Sequence, residues 1–467
     1  MSFFTPEIVA AVTGGRWLTR PARGGPLRGV GIDTRGDLDG RAFVAIRGER
    51  FDGHDFLDRA RDAGARVLLV HKEPIAGTRR ADGILLVDDT RTALGRLAAA
   101  WRRTLTGTTV IAVTGSCGKT TVKQLLDAVL STARRGCAAP RSYNNEIGVP
   151  LAILAADPSH EYLVLEIGAS RPGEIETLAR IARADIGVIT MIGRAHLAGF
   201  GSIETVTREK ATLLRHLQGT RHAVVNADVP GLRRYLAEAG TVTLFGEAPD
   251  ADLRLTAWVP RGCGVRFEVN HRTSYDLGLP GRHNALNALA AVAVARHLDL
   301  DQSLIGPALA ECRPVAMRLS RHVVGEVTFY NDAYNANPDS VAASLDSFAE
   351  LAADAPRRVV VLGDMLELGR CAAEQHREVG QRLLDLDRRL SVDHVVLVGA
   401  LSSHTAEPIL DRWPRHRLTL IRHLDRAGAG TVAASLHPGD AVLLKGSRAL
   451  GLESVIDAVS ELQHSNA

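Results

Sequence analysis

The chain reads as an α/β protein of three consecutive domains, and three observations predict this. Its 467 residues exceed what one ordinary core holds, a length that suggests about three domains. Short β-branched apolar runs alternate with helical stretches, the pattern of parallel strands joined by crossover helices. Several of these runs end in glycine or a polar cluster, as strands do where an open parallel sheet meets its ligand.

Residues 1–106 hold strand-like runs such as AFVAIRG and RVLLV between glycine-rich turns, which predicts a small N-terminal α/β domain. Residues 107–313 change to strand, tight loop and helix, from TVIAVTGSCGKTT through YLVLEIGAS, DIGVITMIG and HAVVNAD. That predicts a central parallel sheet with a phosphate-binding loop. Residues 314–467 carry VTFYNDAYNANP, RVVVLGDMLELG, HVVLVGA and AVLLKGSRALG, each closing on glycine or polar residues. These predict a C-terminal Rossmann-like α/β domain with functional loops along one edge, although the same residues also make plain turns.

Composition narrows the function classes. Hydrophobic residues are 45% and charged residues 23%, the balance of a globular protein. The 56 basic and 53 acidic side chains are evenly spread, which argues against a nucleic-acid or membrane surface. No run approaches the ~18 apolar residues of a membrane span. The start, MSFFTPEIVAAVTGGRW, lacks the basic and unbroken apolar segments of a signal peptide. Five scattered cysteines (Cys117, Cys137, Cys263, Cys312, Cys371) form no C-x-x-C pair, so neither a disulfide framework nor a zinc site is expected, and a reducing cytoplasm is the simplest location.

The chemistry begins in VTGSCGKTT. After the strand TVIAV, residues Thr114, Gly115, Ser116, Cys117, Gly118, Lys119, Thr120 and Thr121 turn into a helix, where free N–H groups and the helix dipole favour an anion. Gly115 and Gly118 allow close approach of phosphate, Lys119 would reach the outer phosphates, and Thr120 would offer a hydroxyl to magnesium. Val113 stands where G-x-x-x-x-G-K-[ST] has its first glycine, so the loop is a shortened form. Glu166, closing YLVLEIGAS, is either a magnesium carboxylate or a solvated strand end. His196 and Lys210, in MIGRAHLAGFGSIETVTREKATLL, are not singled out by pattern alone, and Arg318 alone would read as a surface cation.

Together these motifs resemble the Mur ligases, ATP-dependent amide-forming enzymes of peptidoglycan synthesis. The shortened loop T-G-S-x-G-K-T-T is similar to that family's form. DTRGDLDGRAFVAIRGERFDGHDF, YNNEIGVPLAIL, GRHNALNALAAVAVA, YNDAYNANPDS, LGDMLELG and LLKGSRALGLE resemble the branch that adds the dipeptide D-alanyl-D-alanine. The resemblance spans nearly the whole chain. It implies a UDP-sugar-binding first domain, a central ATPase domain, and a third domain that binds the dipeptide and closes over the second.

It also implies roles residue by residue. Glu166, His196 and Lys210, the last as a carbamate, match a site for one or two Mg²⁺ ions together with Thr120. A carbamate makes sense there, since it replaces a repelling ammonium with oxygen ligands. His283, Asn284 and Asn287 match residues near adenine, Asp332 the acidic contact to the ribose, and Arg318 the arginine that reaches ATP from the third domain. Thr34 and Arg35 resemble the uridine-diphosphate end of the substrate site. Asn144 and Asn145 resemble a substrate-contacting pair, or are a simple turn. Tyr334, Asn335, Asn337, Lys445, Gly446 and Ser447 resemble the loops around the dipeptide. The family usually has asparagine where this chain has Cys117, and a thiol is the weaker hydrogen-bonding group.

The implied substrates are ATP, UDP-N-acetylmuramoyl-tripeptide and D-Ala-D-Ala, handled by a monomer. The rivals are a sibling ligase adding one amino acid, whose D-N-P-R signature is missing from this chain, a folate-polyglutamylating relative, and a phosphate-loop switch protein.

Overall fold

The computed structural model describes residues 4–22, 24–73 and 83–466, organised on three sheets. The first contains β1 (Arg16–Thr19), β2 (Val30–Gly31), β3 (Ala42–Val44), β4 (Val67–Val70) and β5 (Ile84–Leu86), in the order β1-β5-β4-β3-β2. Only β1 runs antiparallel to its neighbour. The AFVAIRG and RVLLV runs are β3 and β4, buried along their length as inner parallel strands should be.

Helix Thr90–Thr104 follows, its N-terminus capped by the Asp89 carboxylate, which accepts from Thr92 N–H. Its apolar stripe, Leu94, Leu97, Ala98 and Trp101, shares one core with Leu163, Ile175 and Leu213. Trp101 donates its indole N–H to Ala156 O at 3.0 Å, and Arg102 reaches the Asp185 carboxylate at 2.8 Å. The last helix before residue 106 is therefore packed into the second unit.

The second sheet contains β6 (Thr109–Thr114), β7 (Gly136–Ala138), β8 (Tyr162–Glu166), β9 (Ile186–Ile189), β10 (His222–Asn226), β11 (Thr241–Gly246), β12 (Leu253–Arg261), β13 (Gly264–Val269) and β14 (Thr273–Leu277). Their order is β14-β13-β12-β11-β10-β9-β6-β8-β7. From β7 to β12 the pairs are parallel, as expected. The antiparallel extension β12–β14 was not anticipated. Its β12–β13 turn at Gly262 and Cys263, with Gly262 at φ 59° between the paired Arg261 and Gly264, is the tight two-residue kind that closes hairpins, and β13 alternates inward Val265, Phe267 and Val269 with outward Arg266 and Glu268. Strand β6 lies between β8 and β9, so the chain reverses direction across the sheet at the phosphate loop.

The third sheet contains β15 (Ser320–Val324), β16 (Val327–Asn331), β17 (Arg357–Gly363), β18 (His394–Val398), β19 (Leu418–Ile421) and β20 (Asp440–Lys445), ordered β15-β16-β20-β17-β18-β19. All pairs but β15–β16 are parallel. Apolar cores cover both faces. The four apolar runs picked out beyond residue 314 are β16, β17, β18 and β20, whose carboxyl ends share one edge.

Candidate active site

Strand β6 ends at Thr114 and the chain turns through Gly115–Gly118 into helix Lys119–Leu130. Both glycines are dictated by space and by backbone. At Gly115 (φ 155°) a Cβ would lie 2.0 Å from Thr190 Oγ1, and at Gly118 (φ 83°) it would lie 2.3 Å from Asn287 Oδ1. No side chain caps this helix, so its first N–H groups are available to an anion. Lys119 Nζ folds back onto Gly115 O at 2.8 Å. Desolvation lowers its pKa, opposed by the Glu166 charge.

Glu166, 2% exposed at the end of β8, is the hub beside the loop. Its Oε2 accepts from Thr120 Oγ1 at 2.9 Å, its Oε1 accepts from Asn144 Nδ2 at 2.9 Å, and Lys123 Nζ stands 3.6 Å away. From the third unit, Arg318 donates to Thr120 Oγ1 at 3.0 Å while its guanidinium lies 4.4 Å over the Tyr334 ring. Met317 and Leu319 on either side are left-handed, with φ 61° and 57°, which turns Arg318 toward the loop.

On the opposite wall, Asn284 Nδ2 donates to Pro280 O at 2.7 Å and Asn287 Nδ2 to Asn284 Oδ1 at 3.2 Å, holding the head of helix Arg282–His297. Burial pushes the pKa of His283 down to about 4, so the ring is neutral near pH 7. Asp332, just past β16, pairs with Lys445 Nζ at 2.7 Å and accepts from Ser344 Oγ. Lys119, Thr120, Glu166, Arg318, His283, Asn284, Asn287, Asp332 and Lys445 line one cavity of about 380 Å³ between the second and third units.

The other expected residues divide. Asn144, Tyr334, Asn335, Asn337 and Lys445 line this same cavity with the phosphate loop. Lys445, expected at the incoming dipeptide, is instead turned to Asp332 and donates to Asn335 O at 2.8 Å. Asn145 is turned to its own backbone, accepting from Ile147 and Gly148 N–H at the start of helix Gly148–Leu154. Gly446 packs on Gly363, and Ser447 Oγ accepts from Leu366 N–H, so both shape a loop off the cavity wall. Thr114 and Gly115 shape the phosphate loop from behind that wall.

Lys210 also lies off the wall. It is 2% exposed with no ion pair among the described residues, and burial together with the Lys119 charge brings its pKa down to about 7. His196, with φ 55°, faces the third unit, where its Nδ1 lies 2.5 Å from Glu367 Oε2; desolvation outweighs that carboxylate and lowers its pKa. Thr34 and Arg35 line a separate cavity of about 380 Å³ with Phe43, Phe51, Phe56 and Arg59. Arg35 grips Asp33 through Nε and Nη2, holding that carboxyl down to about 2.

Cys117 bridges the two units. Asn337 Nδ2 donates to its sulfur at 3.2 Å, and the thiol faces Asn337 Oδ1 at 3.6 Å. Other residues at this junction were not foreseen. Thr190 Oγ1 donates to Cys117 O at 2.5 Å, Asn226 Nδ2 holds Thr190 O at 2.8 Å, and Arg194 pairs with Asp339 at 2.9 Å. Thr190 directly follows β9 and Asn226 closes β10, and their position at carboxyl ends beside the reversal point was the available signal. For Arg194 and Glu367 the sequence held no signal, because their partners are distant in the chain.

Comparison with known proteins agrees with this arrangement. Residues 26–102 match the Mur ligase family catalytic domain, 113–295 the Mur ligase middle domain and 317–448 the Mur ligase glutamate ligase domain. The UDP-N-acetylmuramoyl-tripeptide–D-alanyl-D-alanine ligase of Bacillus subtilis is 33% identical over 439 residues, 93% of each chain. A crystal structure of MurF from Acinetobacter baumannii superposes with a TM-score of 0.86 at 29% identity, covering 99% of this chain and 100% of that one. MurF ligase from Thermotoga maritima, in complex with ADP, gives 0.79 at 29% identity over 96% and 99% of the two chains. With all three family domains matched in order along one chain, the protein belongs to the Mur ligase family.

Proposed function

We infer that the chain is an ATP-dependent ligase that joins D-alanyl-D-alanine to UDP-N-acetylmuramoyl-tripeptide. The observation that carries this is the Arg318–Thr120–Glu166 chain of hydrogen bonds, which ties a third-unit arginine to the phosphate loop of the second unit. Full-length likeness to ligases of that name supports the choice of substrates.

A carboxylate does not condense with an amine in water without a leaving group. The tripeptide carboxylate takes the γ-phosphoryl group of ATP, ADP departs, and the dipeptide amine displaces phosphate from the resulting acyl phosphate. Lys119 and Arg318 supply positive charge around the moving phosphoryl group. Asp332 and the asparagines of helix Arg282–His297 orient the nucleoside. The contacts from Asn337 and Asp339 to the second unit shut the site against water, which would otherwise hydrolyse the acyl phosphate.

The donor set suits magnesium. Thr120 Oγ1 and Glu166 Oε2, 2.9 Å apart, are hard oxygens, and no cage of three His, Cys, Asp or Glu side chains forms among the described residues. That fits an ion sharing its sphere with phosphate and water rather than one held by protein alone. Such an ion, when bound, neutralises phosphate charge. Lys210 suits carbamylation because a buried amine with a pKa of about 7 is substantially neutral, the form that adds carbon dioxide. His196 completes the group we assign to the metal.

The test is phosphate release from ATP with Mg²⁺ and UDP-N-acetylmuramoyl-tripeptide, with D-Ala-D-Ala, single amino acids, or no amine. Release with a pentapeptide product only for the dipeptide is the expected result. Activity with a single amino acid, or without an amine, overturns the assignment.

A further inference from the structure

A second cavity of about 680 Å³ lies where the second and third units meet, away from the phosphate loop. The antiparallel extension supplies Cys263, Val265 and Asp276, the connecting segment supplies Arg313 and Leu319, and the third sheet supplies Arg321 and Tyr330. Its size is that of a small-molecule site.

Two features indicate what it would hold. Arg313 and Arg321 have no carboxylate within ion-pair distance among the described residues. The only acid on the wall among the described residues, Asp276, is already shared by Arg261 and Arg266 at 2.8 Å each. The wall therefore carries surplus positive charge. Much of the remainder is apolar, with Val265, Leu277, Leu319 and the Tyr330 ring, 8% exposed, lining it beside Ser320. The Tyr330 phenol is satisfied by Leu351 O at 2.9 Å and leaves its ring as wall.

The cavity also touches the mechanism. Leu319 lines both this cavity and the nucleotide cavity, and it follows Arg318 directly. Met317 and Leu319 are both left-handed, an uncommon backbone for bulky residues, and one that persists only where surrounding packing enforces it. An occupant pressing on Leu319 therefore bears on the segment that sets Arg318 against Thr120.

We propose that this cavity binds a small organic anion with a flat apolar body, and that its occupancy alters turnover through the Arg318 segment. The anion pairs with Arg321 and Arg313 while its body lies between Leu319 and the Tyr330 ring.

The probe is 8-anilinonaphthalene-1-sulfonate, an aryl sulfonate, titrated by fluorescence into the full chain. Binding needs no enzymatic activity, so its result stands apart from the substrate assignment above. Wild type should bind saturably, without displacement by ADP. Arg321→Glu should weaken that affinity about tenfold or more by reversing one charge. Cys263→Trp, which fills the cavity from the exposed hairpin, should abolish it while leaving basal phosphate release unchanged. Saturating probe should change the phosphate-release rate of wild type about threefold or more and leave Cys263→Trp unaffected. Displacement by ADP, or equal affinity in both variants, overturns the site. Binding that both variants lose, with no change in turnover, overturns the coupling to Arg318.

Discussion

Replacing Arg318 with alanine tests whether the third unit completes the site. Two interactions disappear. The hydrogen bond to Thr120 Oγ1, 3.0 Å long and charge-assisted, is worth ~1.5–3 kcal/mol. The cation–π contact, with the guanidinium 4.4 Å over Tyr334, adds ~0.5–2 kcal/mol. If both act mainly in the transition state, the sum of about 2–5 kcal/mol corresponds to a rate loss of about 30- to several-thousand-fold. Phosphate release at saturating substrates reads kcat, and calorimetric ADP affinity of the same variant reads ground-state binding. The expectation is a fall in kcat of about 30-fold or more with ADP affinity changed less than about fivefold. Arg318→Lys should recover only part, because an ammonium cannot stack and donate as a planar fork does. A kcat within about threefold of wild type refutes the reasoning, as does a loss of ADP affinity that matches the loss of kcat/KM.

Gly118→Ala must strain a backbone at φ 83° and displace Asn287, so ADP affinity should fall about tenfold or more; unchanged calorimetry would contradict the loop geometry. Lys210→Met, an apolar replacement at a buried site, should keep the melting temperature but lower phosphate release about 100-fold, and near-normal activity would end the carbamate reading. Phe51→Ala, removing a 72%-exposed ring beside Phe56, should raise KM for the UDP-linked substrate about tenfold without changing kcat; an unchanged KM would detach this cavity from the uridine end. His222, stacked on His297 at 3.5 Å, has its pKa pushed to about 4 by burial first and the His297 charge second. The unfolded chain protonates it near ~6.5, so its contribution to stability is complete above that pH and is lost as pH falls toward 4, with a slope of up to about 1.4 kcal/mol per pH unit. His222→Gln should therefore lose less melting temperature than wild type between pH 7 and pH 5, and an equal loss would refute the assignment.

By itself the sequence determined the α/β class and the strands around the site, and it pointed to the phosphate loop with Lys119 and Thr120, while Glu166 stood open between a magnesium carboxylate and a solvated strand end. Those features are local: β-branched runs, glycines at left-handed positions, and a strand-to-helix turn all write their geometry into adjacent residues. The resemblance added Arg318, Asp332, Asn284 and Asn287, which line the same cavity as the phosphate loop. The β12–β14 extension was also local, written in alternating residues and a two-residue turn, and went unread among stronger parallel-strand signals. Only the tertiary structure decided that Asn145 accepts from Gly148 N–H at the start of the following helix, that Lys445 faces Asp332, and that Cys117 meets Asn337 across 220 positions of chain. It also decided that Lys210 is buried beside a second lysine charge and that Leu319 separates two cavities. Contacts between units depend on how three separately formed sheets pack against one another, and desolvation depends on what covers a side chain; neither leaves a pattern in neighbouring residues.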